Sequence, residues 1–332
     1  MSDAGKQLPR SALYVALGQG TFVLVGYLLH IFLSRWLTPA LFGAFNVTMT
    51  VLVWVEITVN NGVPVALQKF LPDRTLSQAS VLRAAARSQA LVGIGVFTLV
   101  FLAAPGLAAL LRDPALAGYL RLALVDVLAM SAYAYYRGVL NGWRVFRQLS
   151  LTIAAYSLAK LAAICLLVLA GLGIQGALIG NVVSSLGGLA AGYYWTRRDL
   201  ARAGAPAPQA ARAEAPVPQA ARADTPAPEA AGALVSERTI MAFVLPAALF
   251  TLASNVLLGL DLMGVKALVA DADQVGYYSA AVKLAEAPRL VLLAFSFTLL
   301  PSLSGAIAAA DTAQTRHDLQ QVMRLLALVL LP

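Results

Sequence analysis

The sequence has one cysteine and two histidines in 332 residues, and only 12% of it is charged. A lone cysteine, Cys165, set in an apolar run, forms no intrachain disulfide and leaves the redox compartment unmarked. His30 and His317 stand far apart, and CxxC, HExxH, GxSxG and Walker patterns are all missing. An enzyme reading therefore starts weak, and neither a cofactor nor a metal is expected. The scarcity of charge is the sharper exclusion. A soluble domain carries roughly a quarter charged residues, whereas this chain is 60% hydrophobic with a mean hydropathy of +0.76. Too few polar residues remain to cover a water-facing surface.

What the chain has instead is long hydrophobic runs. Crossing about 30 Å of hydrocarbon takes roughly 20 apolar residues in a helix. Ser11 to Ser34 and Ser88 to Leu111 run that far without a charge. So does the stretch from Leu161 to Thr196, where Gly171-Leu172-Gly173 predicts the end of one helix and a turn into the next. The pattern predicts spans at 12–34, 41–60, 86–106, 117–138, 148–170, 174–196, 240–262 and 275–300, with an incomplete ninth from about 318. The fold class is an all-α polytopic membrane protein. The polar start MSDAGKQLPR precedes a run too long for a signal-peptide core and without a small-x-small cleavage site, so the first span is expected to be retained.

Cations fix the expected orientation. Lys6, Arg10, Lys69, Arg74, Arg83, Arg87, Arg137, Arg144 and Arg147 fall on one side, together with the six arginines from Arg197 to Arg238, and with Arg316 and Arg324. The other side holds only Arg35, Arg112, Arg121 and Lys266. The positive-inside rule then puts the N-terminus in the cytoplasm. The same distribution explains the net charge of +8 without nucleic acid, because these cations flank hydrophobic spans rather than coat a soluble face. Trp36, Tyr133, Tyr135, Tyr136, Trp143, Tyr193, Tyr194 and Trp195 lie near span ends, where amphipathic rings meet the headgroups.

Residues 199–237 change character to an Ala/Pro/Arg/Glu tract with a near-repeat, APAPQAARAE, APVPQAARAD, TPAPEAAGAL. Spaced prolines favour extended polyproline II, so a disordered cytoplasmic linker is expected. It divides a first lobe of six spans, 1–198, from the start of a second, 238–332. Leu41-Phe42-Gly43-Ala44-Phe45-Asn46 opens the second span, and Gln274-Val275-Gly276-Tyr277-Tyr278-Ser279 opens the eighth. Each has a glycine, then an aromatic two residues on, then a small polar group. Because six is even, the two copies would be parallel repeats about an axis along the membrane normal. Two spans and a fragment against six implies a second lobe cut short at Pro332 and a parent protein of about twelve or more spans.

Several stretches resemble the polysaccharide-type flippases of the multidrug/oligosaccharidyl-lipid/polysaccharide exporter superfamily, which includes O-antigen and teichoic-acid flippases. They are Leu33-Ser34-Arg35-Trp36-Leu37-Thr38-Pro39 leading into Phe42-Gly43-Ala44-Phe45, Asn61-Gly62-Val63-Pro64-Val65-Ala66-Leu67-Gln68-Lys69, and Arg137-Gly138-Val139-Leu140. The Gly171–Ala177 turn follows, then Asp261 with Val275-Gly276-Tyr277-Tyr278-Ser279-Ala280-Ala281, and Pro301. The resemblance implies two six-helix lobes around a cavity lined by the first, second, seventh and eighth spans. It implies a polyprenyl-pyrophosphate-linked glycan as cargo, turned from the inner to the outer leaflet of a bacterial cytoplasmic membrane. Membrane lipids and polysaccharide polymerase or assembly proteins would be the partners, and the protein is expected to act as a monomer.

A charge at bilayer depth costs at least about 2.5 to 3.5 kcal/mol, so each one calls for a reason. Glu56, Asp126, Lys160, Asp261, Lys283, Glu286 and Arg289 are the cases here. Lys283, Glu286 and Arg289 share one helical face, with Pro288 expected to kink the region. Glu56 and Arg289 each fall thirteen residues beyond the paired glycines, so they are expected at matching depths across the cavity. One account has Lys283 and Arg289 binding the pyrophosphate or an acidic sugar, with Glu56 and Asp261 as gate partners or proton or cation sites. Asn46, Thr48, Thr50, Thr58 and Asn60 would then supply polar contacts to sugar. The other account has them pair between helices as packing devices, with Glu286 neutralising its own neighbours. Asp126 and Lys160 are expected to form an ordinary interhelical ion pair. The rivals are a cation-coupled drug exporter of the same superfamily, disfavoured by the cationic eighth span, and a membrane glycan polymerase or ligase, disfavoured by short outer loops.

Overall fold

A computed structural model describes residues 4–73, 75–203 and 235–286. The described residues form α1 (Ala4–Trp36), α2 (Pro39–Asn60), α3 (Val63–Phe70), α4 (Gln78–Leu110), α5 (Ala115–Gly142), α6 (Phe146–Leu167), α7 (Gly173–Ala203), α8 (Glu237–Leu268) and α9 (Ala272–Ala285). Six stretches among them are long and apolar enough to span a membrane. One of these, Phe146–Leu200, contains the uncharged run Leu161–Thr196, in which a break between two spans was expected.

Its division has a local cause. Gly171 and Gly173 both take positive φ, 89° and 54°, where an L side chain is strained and glycine is not. The chain reverses there, and α6 and α7 pack antiparallel. Gly176 approaches Leu167, Gly180 approaches Ile164 and Gly187 approaches Ala159, a register that only an antiparallel hairpin gives. Small residues along α7 let its backbone come close to α6, the usual way helices associate where lipid is the solvent.

Helix starts follow their caps. Thr38 accepts a hydrogen bond from the Leu41 amide at 3.4 Å, with Pro39 at the first turn of α2. Ser236 accepts from the Thr239 amide at 3.2 Å at the start of α8. Asp271 accepts from the Asp273 amide at 2.9 Å at the start of α9. Several helices exceed the apolar runs that announced them: α4 begins at Gln78 rather than 86, because its polar first turns continue the helix past the hydrocarbon. Helix α3 was not anticipated. Asn61 and Gly62 end α2, and Pro64 sits in the first turn of a short helix whose Val63, Pro64, Ala66 and Leu67 are buried. That face packs on α5, where Gly138 meets Pro64 and Gly142 meets Leu67. The Asn61–Lys69 and Arg137–Leu140 stretches thus interlock.

Helix α5 packs against α7, α2 and α4, α1 against α6, and α2 against α8 and α9. The Ala/Pro-rich tract of 204–234, Arg74, Pro288, Arg289, Pro301 and the ninth span lie outside the described residues.

Candidate functional site

A cavity of about 490 Å³ lies where α1, α2, α6, α8 and α9 face one another. Four of these helices are those the sequence resemblance implied, and α6 is an addition. Of the expected site residues, Asn46, Asp261 and Lys283 line it, joined by Lys160, Glu286 and His30.

The cations differ in how they are held. Lys283 Nζ is 3.2 Å from Glu286 Oε2, one turn along the same helix, so its charge is already partnered. Lys160 Nζ has no ion-pair partner among the described residues. Its amine donates to the Tyr156 hydroxyl at 3.4 Å and lies 5.6 Å from that ring's centre. A half-buried ammonium on a cavity wall, hydrogen-bonded only to a phenol, keeps donor capacity for a further acceptor.

The expected Asp126–Lys160 ion pair is absent, and helix order explains why. Helix α5 packs chiefly on α7 rather than on its sequence neighbour α6. The Asp126 carboxylate accepts from Asn181 Nδ2 of α7 at 2.6 Å. Glu56 is also placed differently from its expected role in the cavity. It turns into the interior of the first lobe, toward the Asp126 carboxylate, with the Ser185 hydroxyl beside Asp126 as well. Glu56 Oε1, Asp126 Oδ1, Asn181 Oδ1 and Ser185 Oγ are all buried without a partner. Two neighbouring buried carboxyl groups attract only with a proton or a cation between them, and apart from the Asn181 amide and the Ser185 hydroxyl this cluster presents carboxyl oxygen. Among the described residues no group of three or more His, Cys, Asp and Glu could hold a metal ion.

The hydroxyls of α2 are mostly spent on their own helix. Thr48, Thr50 and Thr58 donate to carbonyls one turn back, at 2.8, 2.9 and 3.3 Å, and Asn46 Nδ2 donates to Phe42 O at 2.8 Å. Asn60 accepts from Arg137 Nη2 at 2.8 Å and so anchors α5. Asp261 accepts from the Tyr278 hydroxyl at 2.9 Å, tying α8 to α9. Sequence reasoning missed Asn181, Ser184 and Ser185, although polar residues clustered in an uncharged span were a legible signal. It also missed Trp54, whose indole donates to the Asn255 carbonyl at 2.9 Å and joins α2 to α8.

Comparison with known proteins agrees with this architecture. No curated protein matches the chain. A crystallised MATE protein in complex with Br-NRF matches at TM-score 0.57 and 14% identity, over 99% of this chain and 75% of that one. An outward-facing multidrug resistance MATE family transporter of the MOP superfamily matches at 0.61 and 13%, over 96% and 69%. A MOP superfamily transporter from Pyrococcus furiosus, described as having a binding pocket of reverse polarity that suggests a different function, matches at 0.60 and 13%, over 96% and 68%. At such identities the likeness is one of fold: the chain has the all-α polytopic membrane fold of these transporters. The model of the family described as polysaccharide biosynthesis protein matches residues 8–306, and with nearly the whole chain covered, the protein belongs to the polysaccharide biosynthesis protein family.

Proposed function

We propose that the protein carries a polyprenyl-pyrophosphate-linked oligosaccharide from the cytoplasmic to the outer leaflet of a bacterial inner membrane, by alternating access and without covalent chemistry. The observation that carries this reading is the cavity among the membrane helices, where Lys160 stands without an ion-pair partner, opposite Lys283 and His30. Cations in a low-dielectric site bind a pyrophosphate headgroup more strongly than they would in water. Family membership supports a polysaccharide precursor as the cargo. The asymmetry of Lys and Arg supports a cytoplasmic N-terminus and a first lobe of 1–198, joined by a cytoplasmic linker, 199–237, to a second lobe beginning at 238. Arg289, with Lys283, is assigned to the headgroup, and Asp261 to the junction of α8 and α9. Polymerase or assembly proteins would receive the product, and the protein would act as a monomer.

One observation favours a second reading. The Glu56–Asp126 contact resembles a proton or cation site, as a cation-coupled drug exporter of the same superfamily would need. The two readings share the fold and differ in cargo. Depleting the protein and examining membrane lipids by mass spectrometry separates them: glycans trapped on polyprenyl pyrophosphate support the first, and their absence with new sensitivity to cationic drugs supports the second.

A further inference from the structure

Gly43 of α2 and Gly276 of α9 cross with their backbones in contact. A Cβ at Gly43 would collide with the backbone nitrogen and Cα of Gly276, and a Cβ at Gly276 would collide with the backbone of Pro39. Neither obstacle is the end of a flexible side chain, so this crossing exists only because both positions lack a side chain. These are the two glycines that open matching stretches of sequence. Two polar contacts flank the crossing, and both join the part of the chain before the Ala/Pro tract to the part after it. Lys266 Nζ lies 2.7 Å from Asp113 Oδ2, with side chains 10% and 25% exposed. Asp273 Oδ1 accepts from the Ala40 amide at 3.0 Å. Asn46 and Ser279, one turn further along α2 and α9, already line the cavity. The crossing therefore lies one helical turn from the cavity wall.

We infer that the Gly43–Gly276 crossing, latched by Asp113–Lys266 and Ala40–Asp273, is a gate that closes the cavity toward the outer face and parts once in each transport cycle. The inference rests on the alternating-access reading and orientation proposed above. Its parts suit reversal. At the two glycines the crossing is backbone against backbone, and the flanking polar groups sit at or near helix ends, where water can replace each partner when the lobes separate. Deeper contacts between α2 and α8, through Gly259 against Thr50 and Trp54, lie below this crossing and can act as the fulcrum.

The test uses the full-length protein with Cys165→Ser, carrying Ser279→Cys as a reporter inside the cavity, and a membrane-impermeant maleimide added from outside. Gly43→Ala, Gly276→Ala and the milder Asp113→Asn should each speed labelling, by about fivefold or more for a coupling of ordinary size. Asp113→Lys combined with Lys266→Asp should return it toward the starting rate. Unchanged labelling in all three single variants overturns the gate. A separate pair, Ala40→Cys with Asp273→Cys, should cross-link with a short bifunctional thiol reagent and stop transport until the link is reduced. Continued transport by the cross-linked protein also overturns it. Gated labelling without trapped glycolipid on depletion would retain the gate and remove the proposed cargo, so the two failures are distinguishable.

Discussion

Asp126 and Asn181 face each other across α5 and α7 with 2.6 Å between Oδ2 and Nδ2, so Asp126 takes its polar partner from α7 rather than forming an ion pair with Lys160 of α6. The consequence is a division of labour within one lobe. Carboxyl oxygens gather inside it around Glu56, Asp126 and Ser185, while the Lys160 amine is left to the cavity. Tyr156 lies at the boundary, its hydroxyl receiving the Lys160 proton donor and its ring stacked on Tyr133 at 5.1 Å.

Glu56→Gln supplies an amide donor to Asp126 where two acceptors now meet. The variant should be as stable as the parent or more so, and should lose any dependence of transport on an ion gradient. Thermal unfolding and transport in proteoliposomes with and without imposed proton or sodium gradients check both halves. Retained gradient dependence would remove Glu56 from coupling.

Asp126→Ala should destabilise the first lobe by about 1 to 3 kcal/mol, because Asn181, itself buried, loses its partner. Asp126→Asn keeps the shape and should cost less. A detergent Tm series on the two variants ranks them, and an equal loss would contradict the account of this bond.

Lys160→Ala should weaken binding of a short-chain prenyl pyrophosphate by roughly 10- to 100-fold, the value of one charge-assisted hydrogen bond of about 1.5 to 3 kcal/mol. Lys160→Arg should retain most of it. Lys283→Ala should lose less than Lys160→Ala, since Glu286 already partners that amine. Equilibrium titration of the three variants reads the order directly.

Gly180→Val should separate α6 from α7, since even a Cβ there would press on the Ile164 backbone; overpacking of this kind costs about 1 to 3 kcal/mol. Gly95→Ala, with nothing near the added carbon, is the control and should leave the Tm unchanged.

Much of the fold was legible because a membrane simplifies the code. An uncharged run of some 20 residues must be a helix in lipid, since every backbone group has to be satisfied within the segment. Gly171 and Gly173 marked the hairpin for a reason internal to the residues. Helix α3 was hidden because it is short and carries Lys69 beside apolar residues, a pattern shared with loops. The site was less readable. Lys160 and Asp126 lie on consecutive helices, and sequence order suggested that they meet, yet α5 packs chiefly on α7 and only slightly on α6. Neighbourhood in a bundle is a packing outcome and leaves no linear trace. The equal offsets of Glu56 and Arg289 from their glycines suggested a meeting across the cavity. The structure turns Glu56 inward to Asp126, while Arg289 lies outside the described residues. The paired glycines themselves do meet, because a position without a side chain permits the closest approach.

The most direct measurement is mass spectrometry of membrane lipids from cells depleted of the full-length protein and complemented with wild type or Lys160→Ala. The account predicts that glycans on polyprenyl pyrophosphate accumulate on depletion, clear with the wild type and persist with Lys160→Ala present at normal abundance. A lipid profile unchanged by depletion would contradict it.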